Sequence, residues 1–325
     1  MKALISGYYG FGNFGDEMIL SCLTSHLKSN GVEVSVLSSN PKVTSVENGV
    51  NAYNSFDFKS LPEIIAKHDV LISGGGSLLQ DVTSKKSLIY YLGVIFLALA
   101  MRKKVVIFAQ GIGPINDPFL RLVTKTLLKC CTYVSVRDEK SFDLLKSWKV
   151  DCEQLCDPIF SLKLPEYNPQ DIVGVQLREF ATLKDEALQK LANKIVNDFS
   201  DKKIQLFSFQ DSIDLAVSRK FAEMLKALKP EINVEILYNL MKDEIIEKIS
   251  HLDYIFAMRF HALIIALMYG VKSCAINYDI KVEKLAHEAG IPLLEMNFDC
   301  IEKIEFKTTI LKHDFDWSEI DNIIN

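Results

Sequence analysis

Arg259 and His261 stand two residues apart in the segment Met258-Arg-Phe-His261, at the end of a short apolar run. A guanidinium fork suits a carboxylate or a phosphate, and an imidazole that titrates near neutrality can serve as a general acid or base. At a spacing of two they do not face each other on a regular helix. Their convergence requires an irregular turn from strand to helix. The competing reading makes His261 a core histidine bonded to a backbone carbonyl. A second arginine, Arg137, closes another apolar run and precedes Asp138 and Glu139. It is either an anion ligand or one half of a surface pair with Glu139 or a neighbour; Asp138 is placed to cap the helix that follows.

Three glycine loops also follow apolar runs. The first runs from Gly7 to Gly15, and its Gly10, Gly12 and Gly15 spell GxGxxG. A dinucleotide reading fails on two counts. The second strand, VEVSVLSSN, ends without an acidic residue for a ribose, and Asp16 and Glu17 open the next helix where a pyrophosphate needs the positive end of the dipole. Asp16 and Asn13 instead suit sugar hydroxyls as planar acceptors, or Asp16 simply caps the helix, worth about 1 kcal/mol. The second loop, Ser73-Gly-Gly-Gly-Ser77, includes Gly75 and Gly76 and leads to Gln80-Asp81, a polar rim fit for a hydroxylated ligand. The third is Gln110-Gly-Ile-Gly-Pro114. Each is a weak signal alone, and together they mark one binding face.

The remaining histidines lack metal-ligand neighbours at suitable spacing, and no HExxH, GxSxG, P-loop or kinase signature occurs. Metal-independent chemistry is therefore expected. A net charge of −5 offers no basic field for nucleic acid. The seven cysteines are scattered and mostly embedded in apolar runs, as in a reduced cytoplasm, and the N-terminus reads as a first strand rather than a signal peptide. The stretch from Leu88 to Met101, LIYYLGVIFLALAM, is shorter than the roughly 20 residues of a membrane span. Lysines 85 and 86 precede it, and Arg102, Lys103 and Lys104 follow. It is a buried core helix with solvated ends, or a helix drawn to the inner face of an anionic membrane by those flanks.

Short β-branched runs alternate with amphipathic stretches, which predicts βαβ units and parallel sheets. Strands are expected at 2–6, 33–37, 69–73, 104–109 and 132–136, with helices at 16–29, 85–102, 118–129 and 138–148. Proline-dense DPIFSLKLPEYNPQD interrupts the pattern, and a second block follows with strands at 172–177, 203–209, 234–237, 253–257 and 273–276. The expected class is α/β: two doubly wound Rossmann-like domains facing a cleft. The divisions are 1–160 for an N-terminal domain, 161–170 for a linker, 171–300 for a C-terminal domain and 301–325 for a helical extension. Strand C-terminal ends supply the site loops.

The segments SGYYGFGNFGDEMIL, GGGSLLQD, QGIGP, SVRDEKS, CDPIF, AMRFHALIIA and NYDIKVEKL occur in that order. Across residues 2–289 the chain resembles the polysaccharide pyruvyl transferases, most of all their bacterial CsaB type. The resemblance implies a GT-B-like fold, phosphoenolpyruvate as donor and co-substrate with no other cofactor, and a sugar of a cell-surface glycan or its lipid-linked precursor as acceptor. It implies donor contacts, on the side of the second domain, from Arg137, Arg259 and His261, with Arg178 beside them, and it turns the first domain's glycine loop, with Gly10, Gly12, Asn13 and Asp16, toward the acceptor. The polar rim of the second loop assigns Gly75, Gly76 and Asp81 to the same acceptor side, and the residue types make His261 the acid and Asp16 a candidate base. The rivals are a GT-B glycosyltransferase using a nucleotide sugar and a non-catalytic glycan-binding protein; a nicotinamide oxidoreductase rests on the glycine pattern alone.

Overall fold

The computed structural model describes residues 1–324. The chain divides into two compact units, Met1–Leu162 together with residues 313–324, and Lys163–Lys312. In the first, β1 (Lys2–Ser6), α1 (Phe14–Ser29), β2 (Glu33–Ser38), α2 (Pro41–Asn48), β3 (Asn51–Asn54) and α3 (Leu61–Ala66) lead to β4 (Val70–Gly74). Helix α4 (Lys85–Ala100), β5 (Lys104–Gln110), α5 (Pro118–Leu128), β6 (Tyr133–Val136), α6 (Glu139–Ser147) and β7 (Glu153–Gln154) complete it. The seven strands form one parallel sheet in the order β3-β2-β1-β4-β5-β6-β7.

The second unit contains β8 (Ile172–Gln176), α7 (Asp185–Phe199), β9 (Lys203–Phe207), α8 (Asp211–Leu228), β10 (Val234–Leu237) and α9 (Lys242–Ser250). Then come β11 (Leu252–Ala257), α10 (Phe260–Tyr269), β12 (Lys272–Asn277), α11 (Ile280–Ala289) and β13 (Leu293–Glu295). Its parallel sheet runs β10-β9-β8-β11-β12-β13. Each unit thus winds outward in both directions from its first strand. The order reverses between β1 and β4 in one unit and between β8 and β11 in the other, and the crevice at such a reversal is where α/β sheets bind ligands.

The apolar runs make these elements because strands of a parallel sheet are covered on both faces. All five residues of β4 and all five of β8 are buried. Helix α10 is apolar nearly all round, and residues 262–267 are fully inaccessible, as befits a helix enclosed within a core. It is closed by Gly270 at φ 81°, a left-handed C-cap that favours glycine; a Cβ there would also fall 2.9 Å from Ile310 Cγ1.

Several expectations shift. Helix α1 begins at Phe14, and Asn13 rather than Asp16 is its cap, accepting from Gly15 N at 3.1 Å. The short strands β3, β7 and β13 were not expected: NAYN and EQ are polar and partly exposed at the two opposite edges of the first sheet, so no apolar alternation announces them. The C-terminal segment is not one helical extension. A 3-10 turn at Ile301–Lys303 and the bond Leu311 N to Leu267 O fix its first part to the second unit. Residues 313–324 pack on the first, where Trp317 stacks on Phe108 and on His26 at 5.4 and 3.9 Å between centroids. Only α12 (Ser318–Ile324) is helical beyond that turn.

Candidate functional site

In the second unit the site grows from the ends of β8 and β11, neighbours at the reversal point. Arg259 is the N-cap of α10, with extended φ −73° and ψ 126°. This is the irregular junction that the spacing of Arg259 and His261 requires. Its backbone N donates to Gln176 Oε1 at 2.8 Å. Its side chain is clamped by Asp214, Nε to Oδ2 at 3.1 Å and Nη2 to Oδ1 at 2.7 Å, and Nη2 also donates to Gln210 Oε1 at 3.2 Å. Asp214 is itself fully buried in the first turn of α8. Its Oδ2 further accepts from Phe209 N, Gln210 N and Gln176 Nε2 at 3.0, 3.1 and 3.2 Å.

The consequence is chemical. Three of the five guanidinium N–H groups are committed, which fixes the plane of the fork, while the pair on Nη1 has no partner among the described residues. Those two donors remain for an oxyanion. Arg178 lies just past β8, its backbone N directed at Met258 Sδ 3.2 Å away, and its Nε is buried without a hydrogen-bond partner. Its guanidinium lies 5.6 Å from the centroid of the Tyr278 ring. Burial pushes the Tyr278 phenol up, and the charges of both Arg259 and Arg178 oppose that rise. Both guanidiniums therefore act on one aromatic group. His261 occupies the second position of α10, partly buried, its ring edge-on to Phe260 at 5.2 Å. No side chain caps this helix terminus, so its dipole adds to the positive potential of the arginines.

In the first unit the three glycine loops meet. Gly111 N donates to Gly76 O at 2.9 Å, Gly113 N to Leu79 O at 2.8 Å, and Tyr9 Oη to Gly74 O at 2.9 Å. The glycines make room for neighbours within the protein. A Cβ on Gly76, at φ 70°, would fall 2.4 Å from Asp16 Oδ1. One on Gly75, at φ 61°, would meet Ile19 Cγ2, and one on Gly10 would meet Ser38 Oγ. Gly12 has open space around it and needs glycine only for its φ of 69°. Asp16 is thus seated against the second loop, half-exposed, with Asn13 three residues before it. Burial and then the Asp16 charge raise the phenol of Tyr8 above its ordinary value and that of Tyr9 well above it.

Two predicted site residues have their side chains engaged within the fold. Asp81 accepts from Asn116 N, Asn116 Nδ2 and Asp117 N at 2.8 to 3.1 Å; these bonds pull its carboxyl below the ordinary value. It ties down the loop before α5. Arg137 forms a buried ion pair with Asp157, Nη1 to Oδ2 at 2.7 Å, not a surface pair with Glu139. Asp138 caps α6 as expected, accepting from Ser141 N at 2.9 Å. Sequence reasoning missed Gln176, Gln210, Asp214 and Asp157. A glutamine closing the apolar run of β8 was a readable signal, whereas Asp214 lies 45 residues from Arg259 with nothing local to mark it. Among the described residues no cluster of three or more His, Cys, Asp or Glu is placed to hold a metal ion.

The model of the polysaccharide pyruvyl transferase family matches residues 13–280. Among solved structures, a UDP-GlcNAc 2-epimerase from Methanocaldococcus jannaschii superposes with a TM-score of 0.67 at 12% identity, covering 100% of this chain and 99% of that one. Anabaena HepE, solved with UDP and glucose, gives 0.57 at 12% identity over 100% and 89%. Acinetobacter baumannii MurG gives 0.53 at 12% over 91% and 86%. At these identities the likeness is one of fold, and the fold is GT-B.

Proposed function

The chain belongs to the polysaccharide pyruvyl transferase family, and from that premise we propose that it moves the pyruvyl group of phosphoenolpyruvate onto a sugar of a cell-surface glycan or its lipid-linked precursor, as in the CsaB type. The product is a cyclic ketal, with phosphate released. The observation that carries this reading is the Arg259 fork: an arginine held rigid by Asp214, with two N–H donors uncommitted, beside the buried unpartnered Nε of Arg178. A small donor bearing both a carboxylate and a phosphate matches such a pair of guanidiniums.

In this proposal His261 delivers a proton to the terminal enol carbon of the donor, which becomes a methyl group. The adjacent carbon, now electron-deficient, takes the oxygen of a first sugar hydroxyl. A second hydroxyl oxygen then displaces phosphate at the same carbon, closing the ring; one hydroxyl proton replaces the one His261 gave and the other leaves with phosphate. Asn13 and Asp16 are assigned to the acceptor hydroxyls, Asp16 as base for one of them. The resemblance gives Arg137 to the donor as well, and its buried pair with Asp157 supplies a structural role beside that one.

A nucleotide-sugar glycosyltransferase is the second reading, favoured by the GT-B fold shared with MurG and HepE. Thermal unfolding separates the two. Phosphoenolpyruvate at about 100 times its dissociation constant should add about 2.7 kcal/mol, and Arg259→Ala should abolish the shift while UDP and GDP give none. Stabilisation by a nucleotide with no response to phosphoenolpyruvate would replace the pyruvyl reading with the glycosyltransferase one.

A further inference from the structure

Helix α4 is apolar enough to be enclosed, as α10 is, yet it is not. One face packs on the first unit's sheet through Leu88, Leu92 and Ile95, while Ile89 and Phe96, seven residues apart on the opposite face, are 55% and 60% exposed. The neighbouring α5 repeats the pattern, with Phe119 at 70% and Leu122 at 62%. The two helices cross between adjacent strands on one side of the sheet and pack together, and Lys85 reaches Asp117, the N-cap of α5, at 3.0 Å. Seven residues of helix rise about 10 Å, and packed helices lie about 8–10 Å apart. Four large apolar side chains therefore share one patch of about that size, on a surface where scattered single exposures are the norm.

Its charge is as unusual as its hydropathy. Residues 85–129 contain eight Lys and Arg against one acidic residue, Asp117, in a chain whose net charge is −5. Lys86 and Lys129 are exposed and have no acidic partner among the described residues. Bulky apolar side chains projecting among unneutralised cations are the signature of a helix lying in the headgroup region of an anionic bilayer. No described helix is long and apolar enough to cross a membrane, so the contact is one of surface only. We propose that the α4–α5 face docks the protein on an anionic lipid surface. An acidic protein would satisfy Lys86 and Lys129 but gives no reason for four exposed apolar side chains between them.

The test is co-sedimentation of the whole protein with vesicles, without either substrate, so that its outcome is independent of the donor chemistry. Binding is expected to vesicles containing phosphatidylglycerol and to be nearly absent for phosphatidylcholine alone. Each cation near such a surface contributes about 1 kcal/mol, a factor of about five, so Lys86→Gln with Lys129→Gln should weaken partitioning by about 25-fold. Phe96→Ser with Phe119→Ser should reduce it at least tenfold. All four changes are on the surface, and an unchanged circular dichroism spectrum and unfolding midpoint serve as the control for folding. No binding at low salt, or binding that these variants leave unchanged, overturns the proposal. A dimer that falls apart in the serine variant, with no lipid association, would overturn it too and make a second copy the occupant.

Discussion

Replacing Asp214 by asparagine changes one oxygen to an NH2 group and should cost the second unit much of its stability. Both oxygens of Asp214 receive only N–H donors: Oδ1 meets Arg259 Nη2, and Oδ2 meets Arg259 Nε, Gln176 Nε2 and the amides of Phe209 and Gln210. Whichever way an asparagine amide is turned, its NH2 faces a donor, and the guanidinium of Arg259 is left buried without its counter-charge. Removing one partner of a buried ion pair costs about 3–5 kcal/mol, against a typical total of about 5–15 kcal/mol. At about 2–4 °C per kcal/mol for a body of this size, the midpoint should fall by roughly 10 °C. Function should suffer separately, since an unclamped Arg259 no longer holds Nη1 in place. A charged hydrogen bond is worth about 1.5–3 kcal/mol, so the dissociation constant for phosphoenolpyruvate should rise between about tenfold and 150-fold. Calorimetric unfolding and donor titration of the folded variant read the two effects apart. Adding Arg259→Ala removes the orphaned charge, so the double variant should be more stable than the sum of the single losses by about 1–3 kcal/mol. An Asp214→Asn protein within about 1 kcal/mol of wild type that binds donor normally would refute the clamp.

Three further outcomes are expected. His261→Ala should abolish turnover while leaving the phosphoenolpyruvate thermal shift nearly intact; undiminished turnover would remove His261 from the reaction. The Asp81 carboxyl is held below its ordinary value by the amides of Asn116 and Asp117, so its stabilisation is complete above about pH 4 and is lost as pH falls through the depressed value. Acid unfolding followed by circular dichroism should therefore show wild-type stability falling as pH drops below about 4, and Asp81→Asn should flatten the profile there specifically; an unchanged profile there refutes the assignment. Burial raises the thiols of Cys131 to about 12 and Cys156 to about 11, and those of Cys152 and Cys274 as well, and Cys22 is buried. A thiol reagent at pH 8 should thus label Cys130 and Cys300 rapidly, as both are exposed, and fast labelling of any other would contradict the packing.

How far the sequence could be read depended on whether a signal was local. The strands β4, β5 and β8 were legible because burial on both faces makes each a continuous apolar run, and the site loops were legible as the glycines and arginines at their ends. Strand β3 was not, since a polar edge strand carries no such pattern. The same division holds within the site. Arg259 and His261 could be picked out by type and spacing, but the residues that give Arg259 its rigidity come from β8 and the start of α8, joined to it only by the order of the sheet. The glycine at position 76 was legible as a demand for space, and the occupant of that space, the Asp16 carboxylate, was not. A sequence names the groups able to do chemistry; it is the reversal of strand order between β8 and β11 that brings Gln176 to the backbone N of Arg259, while the clamp from α8 leaves the Nη1 edge of its guanidinium to a ligand.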